Sequence, residues 1–271
     1  MQLQSSSVSD IGKIRQNNED SYLELVIENK NVNCLLLVVA DGMGGHNAGE
    51  VASKTVVESI ESYFKSEESD LNSDKTLIYL KESIEQANLE VFNASANDEK
   101  LKGMGSTCTA MMILNNQIFI AHVGDSRAYL LRGNNINQLT KDHTLAEKMF
   151  DSGIISKDEA KTSPHRNMLM KAIGIAEQLE VETYNPFKVQ PGDIYLLCSD
   201  GLTEYIEEEE LRSILNIYEP DEACKLLVKI ANKRGGKDNI TVQIVKVFDS
   251  DVVDNKDFMS NLINTSPFKE N

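Results

Sequence analysis

An uninterrupted apolar run, Leu35-Leu36-Leu37-Val38-Val39-Ala40, stops abruptly on Asp41-Gly42-Met43-Gly44-Gly45-His46. A run of this length bounded by glycines predicts a buried strand. The glycines remove side chains where the chain must turn or where something must come close. Asp41 then stands at the mouth of a rigid strand with little bulk around it, a place suited to holding a cation. An aspartate is also a common way to end a strand, so this stretch alone leaves both readings open.

The 271 residues allow one large domain or two small ones. No apolar run approaches the roughly 18 residues that cross a bilayer. The start, Met1-Gln2-Leu3-Gln4-Ser5-Ser6-Ser7, lacks the basic head and apolar centre of a signal peptide, so a cytoplasmic protein with no membrane contact is expected. A formal net charge of −16 disfavours nucleic acid as a partner, because phosphate contacts need a basic footprint. An acidic chain can still handle a phosphorylated substrate when bound cations neutralise some of its carboxylates. Cys34, Cys108, Cys198 and Cys224 form no close pair and read as buried small side chains, not as a disulfide set or a thiolate zinc site.

Along the chain, residues 8–28 read as two short strands around the polar turn Arg15-Gln16-Asn17-Asn18-Glu19-Asp20. Helical spacing follows from Ala48 to Phe64, with Val51, Thr55, Val56, Ile60 and Phe64 on one face, and again from Leu77 to Phe92. Strands are predicted at 107–114 and 117–123, joined by Asn115-Asn116 as a hairpin turn, then at 128–131, just before Leu139, at 193–199 and at 240–247. Residues 140–170 form an excursion with small helices, the second capped by Ser156, of the kind that flanks a site. Short helices are expected at 211–215 and 222–231, and from Asp249 the chain turns polar and is expected to pack weakly or be disordered. Hairpins dominate, so the reading is one α+β domain whose largely antiparallel sheets are covered by helices.

One device recurs: an apolar run, then aspartate beside glycine, at Asp41-Gly42, Gly124-Asp125 and Asp200-Gly201. Asp238 follows a glycine pair and precedes a strand, and Glu19-Asp20 lies in the early polar turn. If these carboxylates converge they make an all-oxygen cation site, since like charges so crowded demand protons or metal. Hard oxygen ligands suit Mg²⁺ or Mn²⁺ better than Zn²⁺. There is no Gly-x-Ser-x-Gly elbow and no P-loop, and four scattered histidines are too few for an imidazole site. With no activated side chain evident, water is the natural nucleophile.

These residues also resemble a known family, the PP2C-type metal-dependent protein serine/threonine phosphatases in their compact bacterial form. The likeness runs from about Ile11 to Val247. It rests on Arg15…Asn18-Glu19-Asp20, Asp41-Gly42-Met43-Gly44-Gly45-His46, Gly105-Ser106-Thr107, Val123-Gly124-Asp125-Ser126-Arg127, Leu139 to Thr144, Ser199 to Thr203 and Gly236 to Val242, in the family's order. The resemblance implies a four-layer α-β-β-α sandwich of two mainly antiparallel sheets flanked by helices. Residues 1–248 would be the catalytic domain, 140–170 its flap, and 249–271 a tail. It implies two Mn²⁺ or Mg²⁺ ions, bridged by Asp41, bound by the Gly42 carbonyl and completed by Asp200 and Asp238. Asp125 would join Asp200 at a third, weaker metal. Glu19 and Asp20 would hold waters of the centre, and Arg15 would clamp the phosphate. The implied reaction is hydrolysis of phosphoserine and phosphothreonine in proteins by a water activated between two metals.

Many eukaryotic relatives carry histidine where this chain has Met43, which cannot donate a proton. His46 turned inward, or a water of the centre, is the candidate donor for the leaving group. Two other readings are kept open: a phosphatase of a small phosphorylated molecule, and an inactive member that binds phosphoproteins. A monomer without attached sensor, kinase or anchor is expected, opposed by a Ser/Thr kinase acting on shared substrates.

Overall fold

The structure is a computed structural model that describes residues 1–29, 32–45, 48–66 and 71–249. The readings placed on His46 and on the tail beyond Asp249 lie outside the described residues.

The apolar run forms the centre of β3 (Val32–Met43). β3 pairs with β2 (Asp20–Asn29) on one side and β5 (Cys108–Leu114) on the other. β6 (Gln117–Val123) and β9 (Glu182–Lys188) complete this sheet in the order β2-β3-β5-β6-β9, and the two-residue β4 (Gly105–Ser106) pairs with the end of β3. The second sheet has the order β1 (Gln2–Asp10), β11 (Ile240–Phe248), β10 (Ile194–Cys198), β7 (Arg127–Arg132) and β8 (Asn135–Gln138). All of these pairings are antiparallel.

Why a strand should be apolar at every position follows from where it lies. Leu35, Leu37 and Val39 face the second sheet, against Leu130, Tyr195, Leu197 and Val245. Cys34, Leu36, Val38 and Ala40 face the other way, onto α1 (Ala48–Lys65) and α2 (Thr76–Asn97). Successive side chains point to opposite faces, and here both faces are covered. Leu36 is fully buried, so Leu36→Ala would cost about 2–5 kcal/mol. A third cluster lies between the second sheet and two outer helices, α6 (Glu208–Ile217) and α7 (Pro220–Arg234), with Leu211, Leu227 and Ala231 at its centre. The layers are therefore helix, sheet, sheet, helix, the expected α+β sandwich.

Local chemistry explains the joints. Asn115 and Asn116 both adopt positive φ, 50° and 59°, which closes the β5–β6 hairpin with the twist it needs. The excursion after β8 carries α3 (Leu145–Asp151) and α4 (Lys157–Thr162), each opened by a hydroxyl cap, Thr144 and Ser156. Ser156 and Glu159 form a reciprocal capping box.

Three differences from the sequence reading stand out. Val51 faces solvent on α1, where Ala52, Val56 and Ile60 take the inner face. β9 was not anticipated, because Pro186 interrupts an already half-exposed segment. The residues around Pro186 coincide with a register shift against β6, where a missing N–H is tolerated. A single helical turn, α5 (Asp200–Thr203), was likewise not anticipated after β10.

Candidate functional site

Both sheets end at a common edge, and the recurring aspartates gather there. Asp20 opens β2 and Asp41 lies near the end of β3, directly opposite it in the ladder. Asp125 follows β6, Asp200 begins α5 and Asp238 immediately precedes Asn239 and β11. The first sheet thus supplies three carboxylates and the second sheet two.

Burial and mutual repulsion dominate their chemistry. Asp41 is pushed well above the usual carboxylate range by burial, then by the charges of Asp20, Asp200, Asp125 and Asp238. Asp125 is raised in the same direction by burial, Asp200 and Asp142, with Arg127 opposing. Asp20 is pushed up to about 7 by burial, against the hydroxyl bonds it accepts. Asp200 is pushed up to about 6 by burial and by Asp238 and Glu204, partly relieved by a hydrogen bond with Asp41. Such a group holds protons or takes cations.

Asp20 shows the preference most directly. Its Oδ2 accepts from Ser199 Oγ and Thr241 Oγ1, each at 2.7 Å. Thr241 spends its only proton on Asp20, so Ser9 Oγ, 2.8 Å away, must donate to Thr241. Asn18 Nδ2 in turn donates to Ser9 at 2.8 Å. This chain fixes one oxygen of Asp20 and leaves Oδ1 buried without a partner. A buried, unpaired carboxylate oxygen is costly unless something positive or proton-bearing meets it. The donor set, all oxygen with no thiolate, fits a hard divalent cation. Among the described residues, no three His, Cys, Asp or Glu side chains already stand in a closed ligand cluster.

Arg15 projects over this edge. Its Nη2 donates to Asp238 Oδ2 at 2.8 Å, and Nη1 lies 3.5 Å from Glu19 Oε2. Burial works against its charge, but Asp238, Glu19 and Asp41 outweigh that and raise its pKa. Glu19 is raised by burial, with Arg15 opposing and Asp238 and Glu50 adding. Gly42 is packed too tightly for any side chain: a Cβ there would lie 2.0 Å from the Gly49 carbonyl oxygen. Its N–H donates to the Glu19 carbonyl at 3.0 Å, which ties the early turn to β3.

Some of the organising residues were only partly visible in the sequence. Gly105-Ser106-Thr107, part of the motif set but given no role of its own, holds the Asp41 backbone: Asp41 N–H donates to Thr107 Oγ1 at 2.9 Å and Ser106 Oγ donates to the Asp41 carbonyl at 3.0 Å. Asn239 had no assigned role. It is buried, accepts from Glu19 N–H at 2.8 Å and donates to the carbonyls of Ile11 and Asn17 at 2.9 and 3.0 Å. It therefore shapes the loop that presents Arg15 and Glu19. Its position directly after Asp238 was the available signal.

The excursion borders the same edge. Asp142 accepts a forked pair of bonds from Arg127, and His143 accepts from Gly124 N–H at 3.1 Å while its own N–H donates to the Gly124 carbonyl at 2.7 Å. The base of the excursion is thus fastened on either side of Asp125. A cleft of about 460 Å³ lies between it and the start of α5 and α6, lined by Asp125, Asp200, Glu204, Lys141 and Arg166 among others.

Comparison with known proteins accords with this geometry. A family model described as Protein phosphatase 2C matches residues 13–232. The serine/threonine phosphatase stp of Listeria welshimeri is 40% identical over 240 residues, covering 88% of this chain and 93% of that protein. The crystal structure of the serine/threonine phosphatase Stp1 from Staphylococcus aureus superposes with a TM-score of 0.84 at 32% identity, over 92% of this chain and 96% of that one. The catalytic domain of the phosphatase PstP, in complex with two manganese ions, superposes with a TM-score of 0.78 at 35% identity, over 91% of this chain and 99% of that one. Fold and relatives together define a metal-dependent protein serine/threonine phosphatase. The chain belongs to the protein phosphatase 2C family.

Proposed function

We propose that this protein hydrolyses phosphoserine and phosphothreonine in proteins at a centre of two divalent cations, Mn²⁺ or Mg²⁺, with a third and weaker site beside them. The observation that carries the reading is the gathering of Asp20, Asp41, Asp125, Asp200 and Asp238 from both sheets at one edge, with Asp20 Oδ1 buried and unpaired. In this reading Asp41, the Gly42 carbonyl, Asp200 and Asp238 hold the two cations, and Asp125 with Asp200 holds the third. When bound, the cations supply Lewis acidity and an acidified water for in-line attack on phosphorus.

The chain's own residues do the remaining work. Arg15 binds the phosphate, its planar fork meeting two oxygens as charge builds on them. Its bond to Asp238 and its proximity to Glu19 aim the guanidinium before substrate arrives. Asp20, with Oδ2 saturated by Ser199 and Thr241, offers Oδ1 to orient a water. Glu19 does the same from the adjoining loop. Met43 carries no transferable proton, so the leaving oxygen is protonated from elsewhere.

The cleft beside the excursion carries both charge signs and borders the site, which favours a polypeptide over a small phosphate ester. Residues 1–248 form the catalytic domain in this reading. It acts as a monomer in the cytoplasm, opposing a Ser/Thr kinase on shared substrates. No helix of the described residues is long and apolar enough to cross a membrane. Titration calorimetry with Mn²⁺ tests the centre: wild-type protein should bind at least two equivalents, and Asp41→Asn should lose the tighter heat. A wild-type protein that takes up no Mn²⁺ would refute it.

A further inference from the structure

A groove of about 660 Å³ lies between the exposed face of α7 and β1, the end strand of the second sheet. Lys225, Lys229 and Lys233 line it at helical spacing, with Lys13 at its far side. The carboxylate within it, Asp10, is already engaged by Asn232 Nδ2 at 2.9 Å and Gly12 N–H at 2.8 Å. Lys225 pairs with exposed Asp221, whereas Lys13, Lys229 and Lys233 have no ion-pair partner among the described residues. On a chain of net charge −16 this is a local reversal of sign.

The groove also leads to the catalytic edge. Lys13 N–H donates to the Gly236 carbonyl at 2.7 Å, two residues before Asp238. Lys13 is itself two residues from Arg15, at most about 7 Å along the chain. Lys233 lies at the end of α7 that runs into Gly235 and Gly236, and Lys225 stands roughly 12 Å further out along the helix. An extended segment rises about 3.3 Å per residue, so about four residues span the three lysines.

We infer that this groove docks an acidic segment of the phosphoprotein substrate, a run of about four Asp or Glu residues close in sequence to the phosphorylated side chain. The inference rests on the proposed phosphatase reading, because it assumes that Arg15 holds the phosphate. The groove contributes to substrate affinity and leaves the chemical step unchanged. Exposed lysines lose little on pairing, and each pair contributes modestly and in a salt-dependent way.

Two phosphothreonine peptides with one core sequence, with and without such an acidic run, test it. Wild-type enzyme at low salt should show a KM about tenfold lower for the acidic peptide, the combined effect of three exposed pairs. The triple variant Lys225→Glu, Lys229→Glu, Lys233→Glu should abolish that difference and keep wild-type turnover of p-nitrophenyl phosphate. Equal KM values in wild type, or an advantage that survives in the variant, would overturn the inference. If wild type hydrolyses neither peptide nor p-nitrophenyl phosphate, the phosphatase reading fails separately. Fluorescence anisotropy with the unphosphorylated acidic peptide then decides the groove: binding weakened about tenfold by the triple variant supports it, and unchanged or absent binding sinks it.

Discussion

Asp20 and Asp41 face each other as register partners across the β2–β3 ladder. Like charges directly opposite on neighbouring strands are destabilising, so sequence and fold place a repulsive pair where a neutral one would be more stable. The pair needs either a proton or a counter-charge between the sheets.

Metal-free protein should accordingly gain stability when one of these charges is removed. Asp41→Asn is expected to raise the melting temperature in chelator by about 2–4 °C, the equivalent of roughly 1 kcal/mol in a domain this large. The same variant should lose nearly all turnover. Scanning calorimetry in chelator is the check, and a lower melting temperature would count against the repulsive pair.

Mn²⁺ should in turn stabilise wild type. At a hundred times the dissociation constant the gain is about 2.7 kcal/mol, and Asp41→Asn should not show it. Thermal shift across a Mn²⁺ titration reads this directly.

Arg15 is half exposed and takes little part in the core, so its loss should appear in kinetics. Arg15→Ala is expected to lower kcat/KM by about 10²-fold, as for other single groups that bind transition-state charge. Arg15→Lys should recover only part of this, since an ammonium cannot fork across two oxygens. Wild-type kcat/KM in Arg15→Ala would remove Arg15 from the site.

Asn239 should behave as a brace. Asn239→Ala leaves Glu19 N–H and two carbonyls without their partner. The expected cost is about 2–4 kcal/mol, from the loss of several buried bonds. Urea unfolding measures the stability, and turnover should fall because Arg15 and Glu19 ride on the loosened loop.

His122 sets an acid limit. It is fully buried, 2.9 Å from Thr109 Oγ1, with Nε2 donating to the Lys141 carbonyl and its ring 4.8 Å from that of His143. Burial, then His143, lower its pKa to about 3, with Glu182 opposing. The unfolded chain takes up this proton near pH 6.5 and the folded chain near pH 3, so stability falls as pH drops through that window. One proton gives a slope of at most about 1.4 kcal/mol per pH unit. The raised carboxylates work the other way, so His122 is read from a difference: wild type should lose ground to His122→Gln in urea midpoint as pH falls from 7.5 through 6 to 5, and a pH-independent difference would assign the acid sensitivity elsewhere.

Much of this was legible because the site sits on the strongest sequence signals. The doubly buried β3 could be read from its unbroken apolar run, and Asp41, Asp125 and Asp200 from the way apolar runs end beside glycine. What escaped was written in weaker chemistry. Asn239 acts through its amide and leaves no periodicity. Ser199 and Thr241 look like ordinary strand-end residues until the fold brings Asp20 between them. β9 carries Pro186 on a half-exposed edge, and α5 is too short to show a helical period. Val51 fitted the helical spacing, but smaller Ala52 was needed where α1 lies close on the sheet.

The most direct test of the metal-centred chemistry is hydrolysis of a phosphothreonine peptide by purified protein with Mn²⁺, with Mg²⁺ and with excess chelator, alongside Asp200→Asn. Turnover that requires metal and is lost in Asp200→Asn is the predicted result. Turnover that persists in chelator, or survives the substitution undiminished, would contradict it.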